Sequence, residues 1–390
     1  MAEMALTLPE RRRSLFAVIA SMTVVSLIYG MSVPLLALVL YRQGVDTVLI
    51  GVNTAVQPAA TLVIAVFAPR IIRALGPAPT MIYATVGSAV VFLLLGAFPN
   101  VYVWFPLRFL LGAFGSFLWI IGEAWVNQIS TEDMRGRMVG LYTAAGSGGT
   151  ALGPLVLSVI GTDGLAPFVA AAVLIVLSGL PIMTATRVAP RLEGRPSAGL
   201  LMFLALAPVA MLLNLVHGAS IEIFLAFLPI YGERIGIGEA TGLHLQTAAL
   251  LGGIALQVPM GWLADRMDRR LLLSLSVLFI ILAIAAMPLM LPLMPANYVF
   301  MFVYGGVFSA LYALGIVLLG ERFRGVDLIF AGTAFNVMWS LGAVLGPPLG
   351  GLGMRLWEPD GVIAVFAAMW ILYLPVPVLA YLRRRQQHGE

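Results

Sequence analysis

Two acids stand where acids are costly. Of the 18 acidic residues in this chain of 390, 16 fall in polar stretches, whereas Glu123 and Glu222 lie inside long apolar runs. A carboxylate surrounded by hydrocarbon must be paired, hydrated or protonated, and an acid that can trade its proton is what a proton-coupled carrier needs. Arg108 is the one arginine in a comparable position, so Glu222, Glu123 and Arg108 are the proton-coupling candidates. The alternative for Glu123 is a structural pair with Arg135 or Arg137, and for Glu222 a pair near the mouth of its span. Arg108 and Glu123 are 15 residues apart, roughly 22 Å along a helix, so they cannot pair directly. Steps of four, three, four and four residues nevertheless join Arg108, Gly112, Gly115, Trp119 and Glu123 in one stripe. A polar stripe on such a helix is expected to face a water-filled cavity, the alternative being that the glycines only allow close helix contact.

Sparse polar residues elsewhere extend the set. Asn53 and Gln57 are one turn apart, Gln246 and Gln257 about three turns apart on one face, and Asn336 lies beside Trp339 and Ser340. Asn214, His217 and Glu222 fall within an arc of about 140° on one helix. We take Asn53, Gln57, Trp119, Asn214, His217, Gln246, Asn336 and Trp339 as substrate-cavity candidates. Each amide can instead bond a neighbouring helix, and His217 can be a neutral packed ring.

Much chemistry is excluded. All 22 basic residues are arginine, which removes a Walker lysine and a Schiff base. With no cysteine there are no disulfides or thiolate ligands, and His217, His244 and His388 have no metal-ligand spacing, so neither metal nor cofactor is expected. The run Gly146-Ser-Gly148-Gly149 mimics a dinucleotide loop but follows no strand. The net charge of +4 sits in short arginine clusters between apolar runs, which speaks against nucleic acid.

The elements that must position these residues are membrane spans. The chain is 61% hydrophobic and only 10% charged, and about 20 apolar residues cross a bilayer as a helix. Apolar runs near 14–41, 47–68, 79–98, 101–128, 136–160, 165–187, 199–231, 238–260, 271–293, 297–320, 326–353 and 360–382 predict twelve transmembrane helices in an all-α membrane protein. The first run is too long for a signal peptide and is read as a span. Alternate loops collect 18 of the 22 arginines, and Arg42, Arg234 and Arg355 lie opposite. The positive-inside rule then puts both termini in the cytoplasm, in agreement with an even count.

The second half echoes the first at spacings near 190 residues: Gly153-Pro154 and Gly346-Pro347, Gly112 and Gly305, Glu132-x-x-Arg135-Gly136 and Glu321-x-x-Arg324-Gly325. A duplicated six-helix unit follows, with bundles at 1–187 and 199–390 joined by a cytoplasmic linker at 188–198. The loop after the eighth span carries Gly261, Asp265, Arg266, Asp268, Arg269 and Arg270. It resembles the signature of the major facilitator superfamily, with Asp268 where that pattern has glycine. The first-half counterpart, Pro69 to Pro77, keeps Gly76 but has Arg73 in place of the aspartate. Glu123-Ala-Trp125-Val-Asn127, with Arg135-Gly136-Arg137 and Tyr312-Ala-Leu-Gly, resembles the YcaD-like bacterial branch. The resemblance implies the two-bundle major facilitator fold and a gating latch of Asp265, Arg266, Arg269, Arg270 and Glu321, in which the aspartate caps a helix and the arginines reach Glu321.

These readings converge on a monomeric secondary transporter of the bacterial inner membrane, in contact with lipid, that moves a small organic, amphipathic solute by alternating access with proton-coupled export. Proton-linked uptake or facilitated diffusion of a metabolite is the alternative within transport. A membrane-embedded sensor that binds without net transport is the alternative outside it. No nucleophile–base pair or metal constellation suggests an enzyme.

Overall fold

The computed structural model describes residues 8–130, 134–183, 206–324 and 326–388, so the linker at 188–198, Glu132 and Gly325 lie outside the described residues. Among the described residues every regular element is a helix. In order they are α1 (Leu8–Arg42), α2 (Thr47–Leu75), α3 (Pro77–Ala97), α4 (Val101–Ile129), α5 (Arg135–Ile160), α6 (Ala166–Met183) and α7 (Pro208–Arg234). Then follow α8 (Glu239–Ala255), α9 (Gln257–Ala264), α10 (Arg269–Met290), α11 (Ala296–Arg322), α12 (Val326–Leu356), α13 (Gly361–Tyr373) and α14 (Pro375–His388). Ten spans, counting Gly361–Gln386 as one, are long and apolar enough to cross a membrane alone. The bent pair α8 and α9 makes an eleventh, and the shorter apolar α6 completes twelve.

The eighth span is broken, which corrects the straight helix expected there. Pro259 has no N–H to give the carbonyl of Ala255, so the ladder lapses and the axis turns by 43°. Gln246 is therefore buried on α8, whereas Gln257 is exposed past the break, and the two do not share one face. Pro375 interrupts the helix of the last span, which nevertheless runs on as one span, Gly361–Gln386. Of the seventh span the described part is α7, in which Glu222 lies one residue past the midpoint Ile221; the expected start at 199 lies outside the described residues.

By contacts the chain divides into two compact units, Met1–Leu35 with Ala59–Arg195 and Leu36–Pro58 with Pro196–Glu390. The end of α1 and the start of α2 thus belong to the second unit. In the first unit, Trp125 on α4 donates its indole N–H to Ser14 Oγ on α1 (3.1 Å), and Trp104 donates to the carbonyls of Leu95 (3.1 Å) and Phe98 (2.9 Å). In the second, Trp370, Tyr231, Tyr304, Phe227 and Phe335 are the largest wholly buried side chains.

The sequence repeat is visible in the packing inside each unit. In the first unit Gly149 and Gly153 on α5 lie against the carbonyls of Thr23 and Leu27 on α1. In the second, Gly342 and Gly346 on α12 lie against the carbonyls of Leu215 and Ala219 on α7. Span five packs on span one as span eleven packs on span seven, and only glycine lets the backbones come so close. The two units thus share this one close helix pair.

Local caps fix the helix starts. Asn100 accepts from Tyr102 N (2.9 Å) at the start of α4, and Asp268 accepts from Arg270 N (2.8 Å) and Leu271 N (3.2 Å) at the start of α10. A capping aspartate contributes about 1 kcal/mol. Asp268→Ala is therefore expected to lower the apparent melting temperature of the purified protein by about 1 °C, whereas Asp268→Asn, which keeps a capping oxygen, should leave it nearly unchanged.

Candidate functional site

In the second unit the candidate residues gather on α7 and its neighbours. Asn214 is fully buried and donates to the carbonyl of Phe335 on α12 (2.6 Å). His217 stacks on Phe308 of α11, with ring centroids 4.4 Å apart and planes 18° apart, and leans on Tyr312 at 5.7 Å. Glu222, five residues further on, is 2% exposed. Gln246 on α8 is fully buried and donates to the carbonyls of Phe224 and Leu225, both at 2.9 Å. The amides of Asn214 and Gln246 thus tie helices together, as an amide buried in an apolar bundle must to avoid an unmet donor.

An aromatic ladder lies against His217, and it was not singled out from the sequence. Tyr304, Phe308 and Tyr312 follow one another at steps of four on α11. Tyr304 stacks with Phe308 (5.7 Å), Phe308 meets Trp370 edge-on (6.1 Å), and Tyr312 tilts against Phe335 (5.4 Å). The i, i+4, i+8 spacing was the signal; against a lipid-spanning background rich in aromatics it reads as ordinary surface.

Asn53, on the part of α2 that belongs to the second unit, is fully buried, and neither end of its amide meets a hydrogen-bond partner among the described residues. An unsatisfied buried amide costs about 1–3 kcal/mol, so a polar group supplied from elsewhere would be favoured there. Gln57, one turn on, is half-buried. On α12, Asn336 is exposed and Trp339 half-buried, and Ser340 Oγ bonds back to the Asn336 carbonyl (3.2 Å).

In the first unit the expected stripe on α4 does not have one environment. Arg108 and Gly112 are buried, whereas Trp119 is 41% exposed and Glu123 is exposed. Gly115 has open space beside it rather than a neighbouring helix. Glu123 lies near Tyr142 of α5, whose hydroxyl approaches Gly122, and Asn127 Nδ2 bonds the Glu123 carbonyl (2.9 Å).

Of the expected latch residues, Arg269 and Arg270 come together with Glu321 at one end of the second unit. Arg269 pairs with Glu321 at 2.7 Å, Arg270 reaches the other oxygen at 3.6 Å, and Arg266 lies over the Trp262 ring at 3.7 Å. Asp265 does not cap a helix start. It closes the C-terminus of α9, the negative end of the helix dipole, and is exposed. The capping role falls to Asp268, immediately before α10, which also pairs with Arg384 at 3.0 Å.

At the other end of the same unit lies a cluster that the sequence reading passed over. Arg42 pairs with Glu239, Arg234 with Glu358, and Arg355 with Asp46 at 3.6 Å. Arg234 also covers the Tyr41 ring at 5.0 Å, and Tyr231 donates to Asp360 at 2.7 Å. Thr47 Oγ1 donates to the Gly351 carbonyl (2.8 Å), and Gly51 and Gly351 allow α2 and α12 into backbone contact. Arg42, Arg234 and Arg355 are the three arginines on the side poor in positive charge, and each has an acid partner. The sequence signal was the set of acids near them, which a count of arginines alone does not weigh.

The sequence profile of the Major Facilitator Superfamily matches residues 18–238 and again 210–390. A protein of Salmonella dublin described as the uncharacterized MFS-type transporter YcaD is 25% identical over 285 residues, 72% of this chain and 73% of that protein. Its counterpart in Salmonella enteritidis PT4 matches to the same extent. Among solved structures, the nucleoside transporter NupG aligns with a TM-score of 0.78 at 14% identity, over 94% of this chain and 99% of that one. A bacterial homolog of the human lysosomal transporter Spinster, inward-facing and unoccupied, aligns at 0.74 with 13% identity, covering 96% and 95%. A D-xylose-proton symporter aligns at 0.72 with 14% identity, covering 93% and 97%. At these identities the solved structures share the fold.

Proposed function

The chain belongs to the Major Facilitator Superfamily, and from that premise we propose that it exports a small amphipathic organic solute in exchange for protons. It is an integral membrane protein and a secondary transporter that works by alternating access, not an enzyme. The observation that carries the proton-coupled reading is Glu222, an acid 2% exposed at the middle of an apolar helix, five residues from a histidine stacked on aromatic rings. A carboxyl held there has a reason to exchange protons, and one described neighbour of the same fold is a proton symporter. Asn53, with its unmet amide, is the leading contact for a polar group on the solute, and the aromatic ladder suits the apolar remainder. Placement in the bacterial inner membrane with both termini cytoplasmic rests on the 18 arginines that gather on one side.

The test is reconstitution in proteoliposomes with an imposed pH gradient, with candidate amphipathic solutes screened for flux against proton movement. Solute that moves with protons in the same direction would replace export by uptake. Binding without counterflow would replace transport by sensing.

In this reading the paired arginines Arg42, Arg234 and Arg355 hold one gate of the cycle, and the Arg269–Glu321 cluster holds the other. Partly exposed ion pairs are worth up to about 1 kcal/mol each, so breaking one should change turnover by about fivefold or less. Arg42→Glu is expected to unbalance the cycle on that scale, and adding Glu239→Arg should bring counterflow back towards the original rate. A double variant no better than the single one would remove the pair from the gate.

A further inference from the structure

A cavity of about 710 Å³ opens in the second unit at the end where α7 and α10 begin and where α11 and α14 end. Arg270, Arg322, Arg383 and Arg384 line it with a single acid, Glu321, so its lining carries an excess of three positive charges. Glu321 is already shared by Arg269 and Arg270, and Arg384 bonds Asp268. Arg322 and Arg383 have no carboxylate partner among the described residues. Nη1 of Arg270 is buried and meets no hydrogen-bond acceptor. The walls between these cations are aliphatic: Leu318 on α11 and Val376 and Leu379 on α14.

The pattern differs from that at the other end of the unit, where Arg42, Arg234 and Arg355 each have an acid partner. Surplus guanidinium groups around an apolar hollow, at the ends of membrane-spanning helices, match an anionic head with hydrocarbon attached. Guanidinium forks bind phosphate oxygens in pairs, and basic pockets between membrane helices bind anionic lipid headgroups. The volume lies in the range of about 300–1,000 Å³ that holds one compact ligand. We propose that this cavity seats the phosphate of one anionic phospholipid, with Arg322 and Arg383 on the phosphate oxygens and the first carbons of the lipid against Leu318 and Leu379. The site is separate from the presumed solute path through Glu222 and is independent of the direction of transport. An occupied site would join α14 to α10 and α11 through the lipid.

The experiment uses the full chain purified in detergent and exchanged into nanodiscs of phosphatidylcholine with or without phosphatidylglycerol. Native mass spectrometry is expected to show one phosphatidylglycerol retained through delipidation, and the melting temperature should rise with that lipid and not with phosphatidylcholine alone. Arg322→Gln combined with Arg383→Gln should lower retention about tenfold, while Arg322→Lys with Arg383→Lys, which keeps the charge, should retain an intermediate amount. Arg13→Gln with Arg385→Gln, which removes two arginines outside the cavity, should change nothing. Undiminished retention in the first double variant would overturn the site. Equal stabilisation by inorganic phosphate at matched concentration would overturn the lipid and leave a soluble anion in its place.

Discussion

Glu222→Gln is expected to abolish pH-driven accumulation of solute in proteoliposomes, a loss of tenfold or more, while solute-for-solute exchange partly survives. The argument begins with position. Glu222 is 2% exposed at the centre of α7, and no other acid among the described residues is so deeply placed within a span. In an exchanger the solute and the proton must compete for one state of the carrier, and a buried acid is the simplest group to register both. Glutamine keeps the size and two of the hydrogen-bonding positions of a protonated glutamic acid but can neither release nor take up a proton. The carrier would then be locked in its proton-loaded form: it still exchanges solute for solute, which needs no net proton cycle, but cannot use the gradient. Full pH-driven accumulation by the Gln variant would remove Glu222 from coupling and turn attention to Glu123 beside Tyr142. Loss of both activities together with a lowered melting temperature would instead mark Glu222 as structural, because leaving a buried polar partner unsatisfied destabilises by about 1–3 kcal/mol.

How much of this was legible in the sequence depended on how far each signal reaches along the chain. The twelve spans were legible because hydrocarbon thickness sets a length that composition reveals directly, and the repeat was legible because Gly-Pro pairs mark backbone contacts that only glycine permits. The break after Ala255 was not read, although Pro259 was in plain view, because the apolar run continues unbroken across it. Asp265 and Asp268 are three residues apart, and which of them caps α10 depends on a helix start that composition fixes only to within a few residues. The environment of Asn214 and Gln246 was out of reach for a different reason. Periodicity gives the face on which an amide lies, but whether it meets a carbonyl of Phe335 or Phe224 depends on which helix comes alongside. The pairs Arg42–Glu239 and Asp46–Arg355 join positions about 200 and 300 residues apart, beyond any local pattern.

Gly342→Ala is expected to be among the most damaging single-methyl changes in the molecule. A Cβ at Gly342 would fall on the carbonyl oxygen of Leu215, 2.8 Å from its carbon and 2.9 Å from the amide nitrogen of Ala219. All three are backbone atoms of α7, so no side chain can turn aside, and the whole helix must move to admit the methyl. That helix carries Asn214, His217 and Glu222 and holds the bond from Asn214 to Phe335. Overpacking of this kind costs about 1–3 kcal/mol even where neighbours can adjust, and alanine's better helix propensity returns less than about 1 kcal/mol. The apparent melting temperature should fall by about 2–3 °C. Gly332→Ala on the same helix, where nothing lies within 4 Å, isolates the propensity effect and should hold or raise stability. Gly149→Ala, which meets the Thr23 carbonyl in the first unit, should repeat the loss seen at Gly342. Equal melting of the Gly342 and Gly332 variants would mean that α7 and α12 do not rest on this contact, and the packing repeat between the two bundles would lose its energetic meaning.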